Sequence, residues 1–187
     1  MQEIKHVLDV LKEVEKAIIY EDIIKLKDLS NKTIHTASIS QDTDNILVAV
    51  LIYSISKVIE RSNYREYPEW KSFVQSIKTH IDHAINFLEN EDINKFRFEF
   101  KKLRKSITKL SGNFKFHVQD VFRKAEINKA SRIYEHGISM EQTAKILGIT
   151  IWELSEYAGK TGISNVNLNR TMSEKKRIQI AMEIFEK

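Results

Sequence analysis

Lysine and arginine side chains, which bind phosphate groups through their charge, are concentrated in one stretch of this chain. Residues 95–132 hold 12 Lys and Arg against 3 Asp and Glu, whereas residues 1–94 hold 11 against 16 and residues 133–187 hold 7 against 7. A cation that neutralises a phosphate releases a condensed counterion, so a one-sided run favours binding to a polyanion. Two other interpretations of the basic run are open. One is a helix face in contact with solvent only, and the other is a pairing with the acidic residues 1–94 of the same chain.

The spacing of the basic residues predicts which of them share a surface. Between residues 95 and 110 they recur on the side of a helix opposite to Phe96, Leu103 and Ile107, and the basic run continues on the next predicted helix. The candidate polyanion contacts are Lys101, Lys102, Arg104, Lys105, Lys109, Arg123, Lys124, Lys129 and Arg132. DNA, RNA and a ribosomal surface are all open as the polyanion.

Residues 138–162 have the pattern of two short helices joined by a tight turn. The turn is at Gly148, where we expect a positive φ, and Ala144 is small enough to let the helices approach closely. The predicted inward positions are Met140, Ala144, Leu147, Ile151, Leu154 and Tyr157. This pattern predicts a helix-turn-helix, a motif that commonly places its second helix in the DNA major groove.

The second helix of this motif offers few of the side chains that usually read bases. Its candidate contacts with nucleic acid are Thr150, Trp152, Ser155 and Lys160. Arg, Lys, Asn and Gln are the usual readers, and Glu153 and Glu156 would oppose phosphate. Trp152 is alternatively a packing residue against the bundle, the last helix or a protein partner. The acidic second helix thus favours a protein partner as an alternative to DNA.

Residues 130–163, ASRIYEHGISMEQTAKILGITIWELSEYAGKTGI, resemble the helix-turn-helix of a family of small prokaryotic antitoxin-like proteins. That family carries a similar A-x-x-L-G-I-[ST]-x-W-E run followed by a short helix and a glycine. The matching residues are Ala144, Leu147, Gly148, Ile149, Thr150, Trp152 and Glu153. The resemblance implies a regulatory rather than a catalytic role, with DNA, a protein or both as the partner. It does not extend to the long helical N-terminal region.

Side chains suited to catalysis or metal binding are sparse in the sequence. There is no cysteine, no Gly-rich phosphate loop, and no H-E-x-x-H or G-x-S-x-G motif. His80 and His83 lie three residues apart on a predicted helix, but no Glu-x-x-His pattern accompanies them, and we interpret them as solvent-exposed. We expect no enzyme activity, no cofactor and no bound metal.

Helices must position all of these residues. The first 111 residues contain no glycine, and their apolar residues recur at helical spacing, which favours an all-α fold. Five helices are predicted there, near residues 3–19, 21–36, 45–61, 68–88 and 93–110, the fourth with Pro68 at its first position. We expect a helical bundle over residues 1–111, a basic connector helix over 112–136, and a helix-turn-helix with a terminal helix over 137–187.

The terminal helix and the hydropathy bear on partners and location. Thr171 and Glu174 form a capping box that opens a helix to Phe185, for which folding back onto the motif and pairing with a second copy in a homodimer are both open. The longest apolar run, Ile46–Tyr53, is short of the roughly 20 residues that span a membrane. A cytoplasmic location without a membrane partner is expected.

Three functional hypotheses follow from the sequence. The leading one is a non-enzymatic transcription regulator that binds DNA through the helix-turn-helix and the basic helices. The second is an RNA- or ribosome-associated factor that uses the basic helices on ribosomal RNA. The third is a protein-binding adaptor or antitoxin.

Overall fold

The computed structural model describes residues 3–40, 42–108, 110, 112–135 and 138–161. The predicted all-α class is confirmed, because these residues form eight α helices and one short 3₁₀ helix, with no strand among them. The helices are α1 (Ile4–Ile19), α2 (Ile23–Ser40), α3 (Thr43–Ile59), α4 (Trp70–Glu89), α5 (Ile93–Thr108), α6 (Gly112–Glu135), α7 (Met140–Leu147) and α8 (Ile151–Thr161). The terminal helix predicted from Thr171 to Phe185 lies outside the described residues.

Helix α3 occupies the centre of the bundle and packs against both α2 and α6. It is apolar on nearly every side, as expected for a helix with several neighbours. Asp42 caps its start, because the Asp42 carboxylate accepts a hydrogen bond from the backbone N–H of Asp44 at 2.9 Å. Neither α3 nor any other helix in the described part of the chain is long and apolar enough to cross a membrane.

The outer helices turn one apolar stripe toward the common core. In α1 this stripe includes Val7, Leu11 and Ile18, which are four and seven residues apart and are buried. In α5 the corresponding residues are Phe96 and Leu103, with the basic side chains on the opposite side. The periodicity of the sequence therefore orients the N-terminal helices as predicted.

The connection before α4 differs from the prediction. Helix α4 begins at Trp70, not at Pro68, and a 3₁₀ helix at Ser62–Glu66 precedes it. Tyr64 in this short helix is buried in the core, where its ring forms a T-shaped contact with Phe114, with 5.9 Å between centroids.

Helix α6 contributes to two hydrophobic clusters. Phe114 and Val118 belong to the larger cluster, which also takes in α1 to α5. Ala130 and Ile133, nearer the end of the helix, belong to a second cluster. Helix α6 therefore packs against the N-terminal helices at its start and against α7 and α8 nearer its end.

The second cluster joins α7 and α8 to the ends of α2 and α3. Its buried members from the bundle are Ile34, Ala37, Ile46, Ala49 and Val50. Its buried members from residues 138–161 are Ile138, Ala144, Leu147, Ile149 and Leu154. Because these side chains share one cluster, α7 is fixed against α3 as well as against α6.

Candidate nucleic-acid interface

Helices α7 and α8 form a bihelical unit around the predicted turn. Ser139 caps α7 by accepting a hydrogen bond from the backbone N–H of Gln142 at 3.1 Å. Gly148 has φ 64° and ψ 33°, the left-handed conformation expected there, and the N–H of Ile149 bonds to the carbonyl of Ala144 at 3.1 Å. The chain thus ends α7 with a glycine C-cap and turns directly into α8.

A capping box that the sequence analysis missed starts α8. The backbone N–H of Thr150 donates to the Glu153 carboxylate at 2.9 Å, and the backbone N–H of Glu153 donates to the Thr150 hydroxyl at 3.2 Å. The signal was readable, because Thr150 and Glu153 have the T-x-x-E spacing of this motif. Thr150, predicted as a nucleic-acid contact, therefore has a structural task at the start of the helix.

The buried face of α8 is rotated from the predicted one. Leu154 and Ala158 are buried against the neighbouring helices, whereas Ile151 is 46 % exposed. Tyr157 is half-buried, and its hydroxyl accepts a hydrogen bond from the Asn128 amide at 2.6 Å. The prediction that Ile151 faces inward is wrong, because α8 turns Leu154 and Ala158 toward the other helices, a face that does not include position 151.

Arg123 links α6 to the start of α8. Its Nε and Nη2 atoms both donate to Glu153 Oε1, at 3.0 and 2.5 Å. Arg123 and the hydrogen bonds from Thr150 lower the pKa of Glu153 from its usual value to about 2. Of the predicted contacts, Arg123 is therefore committed to an internal ion pair, and Glu153 does not present a bare negative charge.

Arg104 links α5 to the end of α7. Its guanidinium donates to the Glu126 carboxylate at 2.8 Å and to the backbone carbonyl of Leu147 at 3.2 Å. Burial raises the pKa of Glu126, and the charges of Arg104 and Arg123 only partly offset this effect. Because Leu147 ends α7, Arg104 holds the end of α7 against α5.

Lys129 is a correction to the predicted contacts. It is 3 % exposed, its Nζ donates to Asn31 Oδ1 at 2.6 Å, and the same nitrogen lies 4.5 Å from the centre of the Tyr53 ring. A buried ammonium group held by an amide and an aromatic face does not reach a phosphate on the surface. Lys129 lies on the inner side of α6, so its charge is in the interior of the protein and does not belong to the basic surface.

Besides Arg104, five predicted basic contacts lie at the surface: Lys101, Lys102, Lys105, Lys124 and Lys160. Three of them pair with a carboxylate in their own helix: Lys102 with Glu99 at 3.1 Å, Lys124 with Asp120 at 2.7 Å and Lys160 with Glu156 at 2.5 Å. The pairs of Lys124 and Lys160 are exposed on both sides and contribute at most about 1 kcal/mol, so a phosphate can compete for these two cations, whereas the partner of Lys102 is buried. Lys109 and the side chain of Arg132 lie outside the described residues.

Trp152 is the most exposed large apolar side chain of the described residues, with 83 % of its surface accessible. It does not pack against the bundle, which was one interpretation of the sequence. Ser155, another predicted contact, donates its hydroxyl to the Trp152 carbonyl at 3.0 Å. The start of α8 therefore presents an indole ring and the partly exposed Ile151 to solvent.

A second charged cluster lies on α4 and α5. Glu99 is 2 % exposed, and its Oε1 atom is 2.7 Å from His80 Nδ1 and 3.2 Å from His83 Nδ1. Burial raises the pKa of Glu99, but the hydrogen bonds from His80, Lys102 and His83 together bring it below its usual value. The two histidines are thus partners of a buried carboxylate, which their spacing alone did not indicate.

The described side chains contain no group of His, Asp or Glu arranged to hold a metal ion. From α5 to α8 the structure presents two kinds of exposed side chain. Cations of α5 lie beside the end of α7, and α8 presents an exposed aromatic residue. No protein-family model matches this chain, and comparison with curated proteins and with solved structures finds no match either.

Proposed function

We propose that this chain is a non-enzymatic regulatory protein that binds duplex DNA through α8 and the basic side of α5. The observation that carries the proposal is the bihelical unit itself. A glycine C-cap at Gly148 and a capping box at Thr150 fix the start of α8, where Ile151 and Trp152 are exposed. The first turn of the second helix is the part of a helix-turn-helix that meets base edges.

The electrostatics of α8 are more favourable to DNA than its composition indicates. Glu153 is neutralised by Arg123, and Glu156 is paired with Lys160 at 2.5 Å. The helix therefore presents a surface close to neutral, on which Trp152 offers an apolar contact of the kind that thymine methyl groups accept. Phosphate affinity must then come from the flanking cations, chiefly those of α5.

The test is a titration of fluorescein-labelled duplex DNA, followed by anisotropy at several salt concentrations. Replacing Lys101, Lys102 and Lys105 together by alanine should weaken binding and flatten the salt dependence, by roughly 0.9 in the log–log slope for each phosphate that is no longer neutralised. A matched variant removes three exposed lysines from the acidic helices, Lys5, Lys32 and Lys71, and should keep the slope.

Three outcomes of this titration bear on the proposal. No binding of DNA at low salt overturns it. An equal decrease of affinity in both triple variants overturns the assignment to α5. Equal affinity for duplex RNA of the same length assigns binding to the basic surface without α8, because the deep, narrow major groove of RNA does not admit a helix.

The exposed pair Ile151 and Trp152 favours a second candidate, an adaptor that docks a protein on α8. Exposed aromatic residues are frequent anchors of protein interfaces. The test is affinity purification of the tagged chain from its native cells, with Trp152→Glu as the variant. A partner that Trp152→Glu loses and the Lys101, Lys102 and Lys105 variant retains supports this candidate. Recovery of the chain without a stoichiometric protein partner contradicts it.

A further inference from the structure

A pocket of about 260 Å³ lies between α3, α5 and α7. Its floor is apolar and comes from all three helices: Leu47, Val50 and Leu51 of α3, Phe96 and Phe100 of α5, and Ile146 of α7. Ligand pockets usually have this character, an apolar lining with a few polar groups that fix orientation. Since drug-sized ligands fill about 300–1,000 Å³, the pocket suits a compact molecule.

The rim of the pocket carries three cations and two carboxylates. Arg97 forms a two-pronged ion pair with Asp44, at 3.0 and 2.8 Å. Arg104 pairs with Glu126 at 2.8 Å. Lys101, the third cation, has no carboxylate within ion-pair distance among the described residues. The polar residues that line the pocket therefore have one positive charge in excess. This charge, on Lys101, lies beside the apolar lining.

We propose that this pocket binds a compact amphipathic carboxylate, with its hydrocarbon body on the phenylalanine floor and its head at Lys101. A carboxylate head gains an ion pair with Lys101 that an uncharged ligand cannot make, and a cationic head would be repelled by it. The interior of the pocket does not suit a nucleic acid, because a charged backbone has no match in its apolar lining; Lys101, at the surface, is a proposed DNA contact only from outside the pocket. The proposal does not depend on the proposed function.

Arg104 connects the pocket to the helix-turn-helix. The guanidinium lines the pocket and donates to the Leu147 carbonyl at 3.2 Å. A carboxylate head bound at Lys101 lies one helical turn from Arg104 and competes with Leu147 and Glu126 for its hydrogen bonds. Ligand binding therefore acts on a contact that holds the end of α7 against α5.

The test is isothermal titration calorimetry of the full chain with octanoate, in the absence of nucleic acid. We expect saturable binding at one site per chain. Butyrate has the same head on a shorter body, and 1-octanol has the same body without the charge. Both should bind at least tenfold more weakly. No saturable heat with octanoate, or equal binding of octanoate and 1-octanol, overturns the proposal.

Two variants locate the site. Lys101→Ala should weaken octanoate binding about tenfold, whereas Lys71→Ala, an exposed lysine on α4, should leave it unchanged. Leu47→Trp fills the floor and should abolish binding, with circular dichroism to verify that the helices persist. Lys101 is exposed, so its replacement by alanine should leave the packing of the core unchanged. Octanoate affinity that is unchanged in Lys101→Ala overturns the assignment of the head group.

Discussion

At the scale of single residues, Glu153 has two structural roles, although the sequence shows only a negative charge. Its carboxylate accepts the backbone N–H of Thr150, which starts α8, and it pairs with Arg123 of α6. A charge that opposes DNA in a helical-wheel view is thus part of the framework of the motif. The residue type was readable from the sequence, but its partner 30 positions away was not, because periodicity carries no information on contacts between helices.

The depressed pKa of Glu153 gives a dependence of stability on pH. Its folded value is about 2, below the usual 4.5, so the contribution is complete above about pH 4.5 and is lost as the pH falls toward 2. Between pH 5 and pH 2, the Glu153→Gln variant should therefore lose less unfolding free energy than the unsubstituted protein. Urea unfolding of both proteins across this range measures it. Parallel pH profiles for the two proteins contradict the assignment.

Two glycines provide a matched pair at the same scale. Gly148 has a positive φ and Gly159 is helical, and a Cβ atom added at either meets no atom within 4 Å. Gly148→Ala should destabilise the fold by about 1 kcal/mol, because an L side chain is strained in the left-handed region. Gly159→Ala should stabilise it by roughly 0.5–1 kcal/mol. Chemical denaturation measures both, and changes of the same sign contradict the turn conformation.

At the scale of elements, helix α6 explains which part of the candidate site the sequence predicted. The pattern of apolar residues places Phe114 and Val118 inside, as the structure has them. It also places every charged residue outside, and this rule fails at Lys129 and, in α5, at Glu99, which are 3 % and 2 % exposed. Both are buried with polar partners from other helices, which no local pattern contains. The basic surface is therefore smaller than the charge count indicates.

Lys129 separates structural from binding roles on α6. Lys129→Ala should cost about 1–3 kcal/mol of unfolding free energy, since it leaves the Asn31 amide without the ammonium group that now donates to it. DNA affinity of the folded variant, and its salt dependence, should stay unchanged, unlike those of Lys101→Ala. Urea unfolding and the anisotropy titration provide the two measurements. A flatter salt slope in Lys129→Ala contradicts its internal placement.

At the scale of the whole molecule, helices α7 and α8 share one hydrophobic cluster with the bundle. Leu154 of α8 and Leu147 of α7 lie in the same cluster as Ile46 of α3. A motif attached by a linker would unfold independently, whereas a shared cluster couples its stability to that of the bundle. The sequence predicted the helices but not this docking, because the apolar residues of α3 indicate burial without naming the neighbour.

Leu154→Ala tests this coupling. The substitution should cost about 2–5 kcal/mol, as for other buried leucines. Circular dichroism should then report one shifted transition, and hydrogen exchange should show lower protection in α3 as well as in α8. Lys145→Ala, an exposed position on α7, should change stability by less than about 0.5 kcal/mol. A decrease of protection confined to α7 and α8 contradicts the shared cluster.

The two tryptophans of the chain lie in opposite environments, Trp70 in the core at 7 % exposure and Trp152 on α8 at 83 %. The indole of Trp152 is therefore open to a water-soluble collisional quencher such as iodide, while that of Trp70 is shielded. Whatever covers α8, whether DNA, a protein or a second copy, removes the quenchable part of the emission and shifts it to shorter wavelength. The chain thus carries its own unlabelled optical reporter for the occupancy of this helix.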